Sequence, residues 1–260
     1  MLSEHMVRLT FGGEGFANYQ DKLVSDRYVK IFFAKPELGL TPPYDLDALR
    51  EELAPEDFPV RRTYTLHHVD LEAGTVQIDF VVHGDEGLAG PWAQKAAIGD
   101  RICFTSPGGL YTPSPDYDRH LLIGDETALP AISAAVLDMN PDMVGDIYLE
   151  VGGPEDQVEL DVPKGVEVHW LHRGAPFTPE NTRIESVVRA SQWPDRTVQV
   201  FAHGERETMK SLRAYLHGER EVDRKAMSLS AYWAFGRAED EFQAEKQSPI
   251  GQIFPEPSNA

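Results

Sequence analysis

The chain has 260 residues, 41% apolar and 26% charged, with a formal net charge of −19. That length suffices for two modest domains, and that charge argues against a nucleic-acid or anionic-membrane partner. Its single cysteine, Cys103, excludes an internal disulfide and any cysteine-built zinc or iron–sulfur centre within one chain.

Met1 to Tyr19 lacks the apolar run and small-residue cleavage site of a secretory signal. No stretch approaches the roughly 20 apolar residues of a membrane span. A cytoplasmic protein with no stable membrane association is therefore expected. Tyr28 to Ala34, Arg62 to Val69, Thr75 to Val82 and Arg101 to Thr105 are rich in β-branched and aromatic residues, with polar breaks between them. They predict short strands in an antiparallel barrel or sandwich. Pro43 to Val60 is an acidic excursion with a short helix predicted over Leu46 to Leu53, long enough to serve as a flap over a site.

The Pro-rich stretch Tyr111 to Arg119 reads as a linker. Beyond it, strand-like runs begin at His120, Ile147, Val166 and Val198, and helical spacing appears at Leu129 to Met139, Ile184 to Val188 and Met209 to Leu216. This alternation predicts a mostly parallel sheet covered on both faces, although Gly152 to Gly165 shows no helix. The expected division is a β-domain over 1–116, an α/β domain over 117–237, and a helix with a frayed tail over 238–260.

Three constellations carry chemistry. In Arg62-Thr63-Tyr64-Thr65, strand alternation places Arg62 and Tyr64 on one face and the threonines on the other. A guanidinium suits a diphosphate, a phenol ring suits a flat cofactor, and the Thr65 hydroxyl suits its edge. Taken alone, a plain amphipathic strand explains these residues as well. His83, at the end of an apolar strand, precedes Gly90-Pro91-Trp92, which opens a helix near Trp92 whose backbone N–H groups would hold an anion. A turn histidine and a buried tryptophan are the plainer alternative.

The third runs through Gly124, Asp125, Glu126, Thr127 and Ala128, where a strand ends in glycine and a helix follows with Thr127 as its cap and Pro130 in its first turn. Gly204-Glu205 repeats that strand–glycine–helix pattern. Such turns place ligands beyond the carboxyl ends of a sheet. The spacing matches neither a dinucleotide fingerprint nor a P-loop. His67-His68 and the His169/His172 pair lack metal-site spacing, so no protein metal site is expected. No Gly-x-Ser-x-Gly nucleophile elbow is present.

In order along the chain, RRTYTLHHVD, IDFVVHGDEGLAGPWA, GDRICFTSPGG, LLIGDETALPAI, WLHRG, FAHGE and SLSAYWAFGR resemble the siderophore-interacting protein family of FAD-dependent siderophore reductases. The resemblance runs from about Val7 to about Arg237. It implies a six-stranded antiparallel FAD-binding β-barrel followed by an α/β parallel-sheet nicotinamide domain, as in the ferredoxin–NADP reductase superfamily. It also implies FAD contacts at Arg62, Tyr64 and Thr65, completed by His83 and Gly90-Pro91-Trp92, with Gly124 to Ala128 and Gly204-Glu205 on the nicotinamide side. His67 stands where many members have arginine, His203 interrupts an Ala-Gly-Glu run, and Ala234-Phe235 precede Arg237 where many members have a basic residue.

The reaction so implied is electron transfer from NADH or NADPH through FAD to a ferric siderophore, with release of Fe(II). The resemblance also leaves a ferredoxin open as donor. Many ferric chelates are anionic, which makes Arg237, and on the flap Arg50, the expected substrate contacts. The loop Gly152 to Glu159 has Glu155 and Asp156 but no Lys or Arg, favouring NADH unless Arg173 or Arg206 reaches a 2′-phosphate. Two alternatives stay open: a general flavin or ferredoxin-reductase-like enzyme, and a non-catalytic siderophore carrier.

Overall fold

The computed structural model describes residues 1–82 and 87–254, and the chain divides into two compact units, Met1–Leu110 and Tyr111–Ala260. In the first unit, strands β1 (Met6–Gly12), β2 (Tyr28–Phe33), β3 (Val60–Asp70), β4 (Thr75–Val81) and β5 (Cys103–Phe104) form one sheet. Its order is β1-β4-β3-β2-β5 and its pairings are antiparallel. Two short helices accompany it, α1 (Leu46–Glu52) and α2 (Ala89–Lys95).

Period-two alternation builds the core of this unit. Val29 and Ile31 of β2, Leu66 of β3, and Ile78 and Phe80 of β4 are each 0% exposed and pack into one cluster. On the opposite face of β4 the buried Asp79 carboxylate is held by Arg8, whose Nε and Nη2 donate at 2.6 and 2.7 Å. That pair crosses from β1, a strand the residue-level reading did not assign. Arg8 and Thr10 break its apolar run, yet Met6 to Gly12 pairs with β4 along its whole length.

Five strands are assigned where the resemblance implied six. The pairing of β2 with β5 continues only as an isolated bridge from Tyr28 to Gly108, and the order leaves β1 and β5 as edges.

In the second unit, β6 (Arg119–Asp125), β7 (Val144–Val151), β8 (Gly165–His172), β9 (Val198–Glu205) and β10 (Met227–Trp233) are parallel, in the order β10-β9-β6-β7-β8. Helices α3 (Leu129–Leu137), α4 (Ile184–Ala190), α5 (Arg206–Arg213) and α6 (Glu239–Glu245) complete it. Ile184 and Val188 of α4 and Met209 and Leu212 of α5 pack with Leu121 and Ile123 of β6. Gly124 lies on the other face of β6, so close to α3 that an added Cβ would sit 2.6 Å from the Ala128 Cβ. Gly152 to Gly165 holds only a single turn, Pro154–Asp156.

The expected helix over Met209 to Leu216 starts earlier, at Arg206, because the Glu205 side chain accepts from the Thr208 N–H at 2.9 Å and caps it. The acidic run Glu239 to Glu241 opens α6, which is anchored by Phe242 at 1% exposure. Among the described residues no helix is long and apolar enough to cross a membrane.

Candidate functional site

Strand β3 carries the first group of candidate residues. Its register opposes Ile31 to Arg62 and Val29 to Tyr64, so Arg62 and Tyr64 share the core-side face of the sheet. Tyr64 is half-buried, its ring 4.6 Å from that of Phe80. Thr65, on the opposite face, is 7% exposed. From Val60 to Val69 the strand has Arg61 and Arg62 and no carboxylate, a locally basic stretch in a chain of net charge −19.

Helix α2 begins at Ala89, three residues before Trp92, and no side chain among the described residues caps it. Gly90 lets that first turn approach β4: a Cβ there would lie 3.2 Å from the Val81 carbonyl oxygen. Trp92 is half-buried against Phe11 and Phe80. His83 lies outside the described residues. A guanidinium, a part-exposed phenol ring and an uncapped helix start are group types that suit the diphosphate and the flat ring system of FAD, whereas the Thr65 hydroxyl lies on the other face of β3.

In the second unit the carboxyl ends of the strands bring Gly124 to Ala128 together with Gly204-Glu205. Asp125 is the hub. Its Oδ1 accepts from the Thr127 N–H at 2.9 Å and the Thr127 hydroxyl at 2.5 Å. Its Oδ2 accepts from the Glu205 N–H at 2.9 Å and the Trp233 indole at 2.8 Å. Thr127 thus spends its side chain on Asp125 rather than capping α3, where Ala128 holds the cap position and Pro130 lies in the first turn. Burial, and then the neighbouring Glu126 charge, push the Asp125 carboxyl up to about 6, against the pull of these hydrogen bonds.

Gly204 has φ +152°, and a Cβ on it would lie 2.6 Å from Asp125 Oδ2. Glu205 accepts from Thr208 and, through its other oxygen, from the Phe235 N–H at 3.2 Å. The flanking residue His203 is 4% exposed. Its Nε2 lies 3.0 Å from the Ser228 hydroxyl, and its ring stacks 3.9 Å from Phe201. Burial lowers its pKa to about 3, so the ring is neutral near pH 7.

Arg173 is the member of this edge whose role the sequence could not fix. It forks onto Glu126 at 2.5 and 2.8 Å and reaches Glu150 at 3.5 Å. Its side chain is 3% exposed and that of Glu150 is 0% exposed. Glu150 also accepts from the Arg183 N–H at 2.5 Å, which fixes the start of α4. Arg206 is likewise engaged, with Glu207 and Glu245. The WLHRG segment flagged Arg173, but nothing in the local sequence shows that its partners come from two other strand ends.

Arg237 is half-exposed and donates to Glu245 at 2.7 Å. Arg50 lies on α1, paired with Asp47 at 2.5 Å and set over the Phe58 ring. His169 and His172 part as expected: His172 meets Gln157, whereas His169 meets Asp146 at 3.0 Å. Asp146, Glu167 and His169 have metal-ligand spacing, but Asp146 is already held by Arg119 at 2.6 Å.

Comparison with known proteins adds a chain-wide finding. The siderophore-interacting FAD-binding domain model matches residues 1–111, and the siderophore-interacting protein model matches residues 117–236. An uncharacterized protein of Mycobacterium tuberculosis is 40% identical over 258 residues, covering 95% of this chain and 91% of that one. The ferric vibriobactin reductase ViuB of Vibrio cholerae is 28% identical over 259 residues, covering 97% and 93%. The crystal structure of the siderophore-interacting protein SipS from Aeromonas hydrophila superposes with a TM-score of 0.79 at 27% identity, covering 95% and 92%.

Proposed function

The chain belongs to the siderophore-interacting protein family, and from that premise we propose that it is a ferric-siderophore reductase. The observation that carries the proposal is similarity to a ferric vibriobactin reductase along 97% of this chain. In this reading Arg62 binds the FAD diphosphate, the uncapped start of α2 at Gly90-Pro91-Trp92 adds backbone donors, and Tyr64 and Thr65 orient the ring system. FAD, when bound, links the two-electron chemistry of a nicotinamide to the one-electron reduction of iron.

The protein's own work is binding and orientation. Gly124 to Ala128 and Gly204-Glu205 form the edge that receives the nicotinamide donor, and the Asp125 hub holds that edge in one conformation. NADH is the favoured donor, because Arg173 and Arg206 are both committed to carboxylates. The substrate is an Fe(III) chelate with hard oxygen donors, and its reduction releases the metal because such donors hold Fe(II) more weakly. Arg237 and Arg50, each carrying one surface carboxylate, are the proposed contacts for an anionic chelate.

Anaerobic reduction of the FAD-loaded protein, followed by addition of catecholate and hydroxamate ferric siderophores with a ferrous trap, tests the reading. Rapid reoxidation that saturates with one chelate class, with ferrous release, is the expected result. FAD binding without response to any chelate would leave a general flavin reductase, and failure to bind FAD would leave a carrier.

A further inference from the structure

Two arginines of the second unit share one carboxylate. Arg206 opens α5 directly after β9, and Arg237 lies in the turn between β10 and α6. Arg237 Nε donates to Glu245 Oε1 at 2.7 Å, while Arg206 Nη1 pairs with Glu245 Oε2. The two ends of this bridge differ. The Arg206 side chain is 6% exposed and keeps a second partner, Glu207, at 2.9 Å. That of Arg237 is 41% exposed, and its Nη1 reaches the Gly236 carbonyl only at 3.4 Å. An anion from solution can reach the Arg237 end, whereas the Arg206 end is closed.

The fold holds Glu245 in place. Phe242 anchors α6, and Ser248 closes its end, its N–H and hydroxyl donating to the Glu245 carbonyl at 2.9 and 2.8 Å. Gly251 then passes so near that carbonyl oxygen that no Cβ would fit, and Ile253 packs into the core of the unit. The turn carrying Arg237 is fixed as well. Its N–H donates to the Ala234 carbonyl at 3.1 Å, and the Phe235 N–H donates to Glu205. Arg206 and then Arg237 hold the Glu245 carboxyl below its ordinary pKa, so it is ionised at neutral pH. Glu245 also lies beyond residues 117–236, where the family model matches.

We propose, on the reading of Arg237 as a chelate contact, that Glu245 is a specificity-determining residue: an internal counter-ion that an anionic ferric chelate displaces from Arg237. Displacement leaves no carboxylate unpaired, because Glu245 keeps Arg206 when Arg237 turns away. Only a ligand with its own negative charge replaces the pair that is lost, so a neutral chelate gains nothing from Arg237. Glu239 to Glu241, in the first turn of α6, add to the field against anions. The chelate must therefore touch Arg237 directly to be held.

The test titrates the FAD-loaded protein by calorimetry with two redox-inert gallium(III) complexes, a trianionic tris-catecholate and a neutral trihydroxamate. Glu245→Gln keeps hydrogen bonding but removes the charge. It is expected to tighten the tris-catecholate about tenfold and to change the trihydroxamate less than about twofold. Arg237→Gln should weaken the tris-catecholate about tenfold, and adding Glu245→Gln to it should then recover less than about twofold. No tightening, equal tightening of both complexes, or a full gain without Arg237 would overturn the proposal. If Glu245→Gln does not fold, Glu245→Asp, one methylene shorter and so drawn off Arg237, is read in the same titrations. An unsubstituted protein that binds neither complex would sink the reductase reading and this proposal together. Binding without coupling between Glu245 and Arg237 would sink the proposal alone.

Discussion

The indole Nε1 of Trp233 donates to the buried Oδ2 of Asp125 at 2.8 Å, across 108 positions of sequence. The bond ties the end of β10 to the end of β6, although β9 lies between them in the sheet. Each oxygen of Asp125 already accepts two donors. An amide at this position must therefore point its NH₂ either at the Glu205 N–H and the Trp233 indole or at the Thr127 N–H, where only the Thr127 hydroxyl can turn to accept.

Asp125→Asn is expected to cost about 2–3 kcal/mol at pH 7 in urea unfolding. The carboxyl is raised to about 6 in the folded protein, so the folded state binds its proton more tightly than the unfolded state. Its contribution is thus greatest below about pH 4, is lost as pH rises through about 6, and is constant above. The variant lacks that decline, and equal pH slopes for the two proteins between pH 4 and 6 would refute the assignment.

Gly204→Ala strikes the same hub sterically. The new Cβ meets Asp125 Oδ2 at 2.6 Å, and φ of +152° disfavours any side chain. Four donors hold the carboxylate, so it cannot swing aside. A loss of about 2 kcal/mol or more is expected in denaturant unfolding.

Arg173→Met removes the cation shared by Glu126 and Glu150 while keeping an apolar side chain of similar length. With Glu150 fully buried, the expected loss is about 3–5 kcal/mol. Adding Glu126→Gln to that background should recover part of it. A double variant no more stable than the single one would show that the carboxylates do not depend on Arg173.

His203 gives an acid-sensitivity of opposite sign. Its pKa falls from 6.5 to about 3 on folding, so stability is lost as pH drops below about 6.5, when the unfolded state takes up a proton the folded state refuses. Between pH 7 and 5 this amounts to about 2 kcal/mol. His203→Phe, which keeps a ring against Phe201, should lose about that much less over the interval in paired urea titrations.

Arg62→Ala tests the proposed diphosphate contact. The affinity of the apoprotein for FAD should fall about tenfold to a hundredfold, with unfolding stability changed by less than about 1 kcal/mol. Calorimetric titration with FAD reads the first and urea the second. Unchanged affinity would remove Arg62 from the site.

Much of the fold was legible because each unit has one dominant period. Alternation in Thr75 to Val82 and apolar runs at Ile147 and Val198 state which residues are buried without needing a partner. β1 and β10 were not legible. Arg8 looks like an interruption until Asp79 supplies its partner from β4, and Met227 to Trp233 pairs only with β9. At the candidate sites, Gly124 and Gly204 signalled tight turns, and their neighbours do meet at one sheet edge. The assignment of Thr127 as a helix cap failed because a buried carboxylate two residues earlier competes for the same hydroxyl.

By itself the sequence determined the two-part architecture, the identity of the glycine turns and the residue types offered to a cofactor, since these follow from period, backbone freedom and side-chain chemistry near each position. Only the tertiary structure decided which charges are spent and on which partners. Arg173 meets Glu126 and Glu150, Trp233 meets Asp125, and Arg8 meets Asp79 because the sheets bring together segments distant in sequence. Hydrogen bonds and ion pairs act over a few ångströms, so their partners are fixed by topology and are not recorded in local pattern.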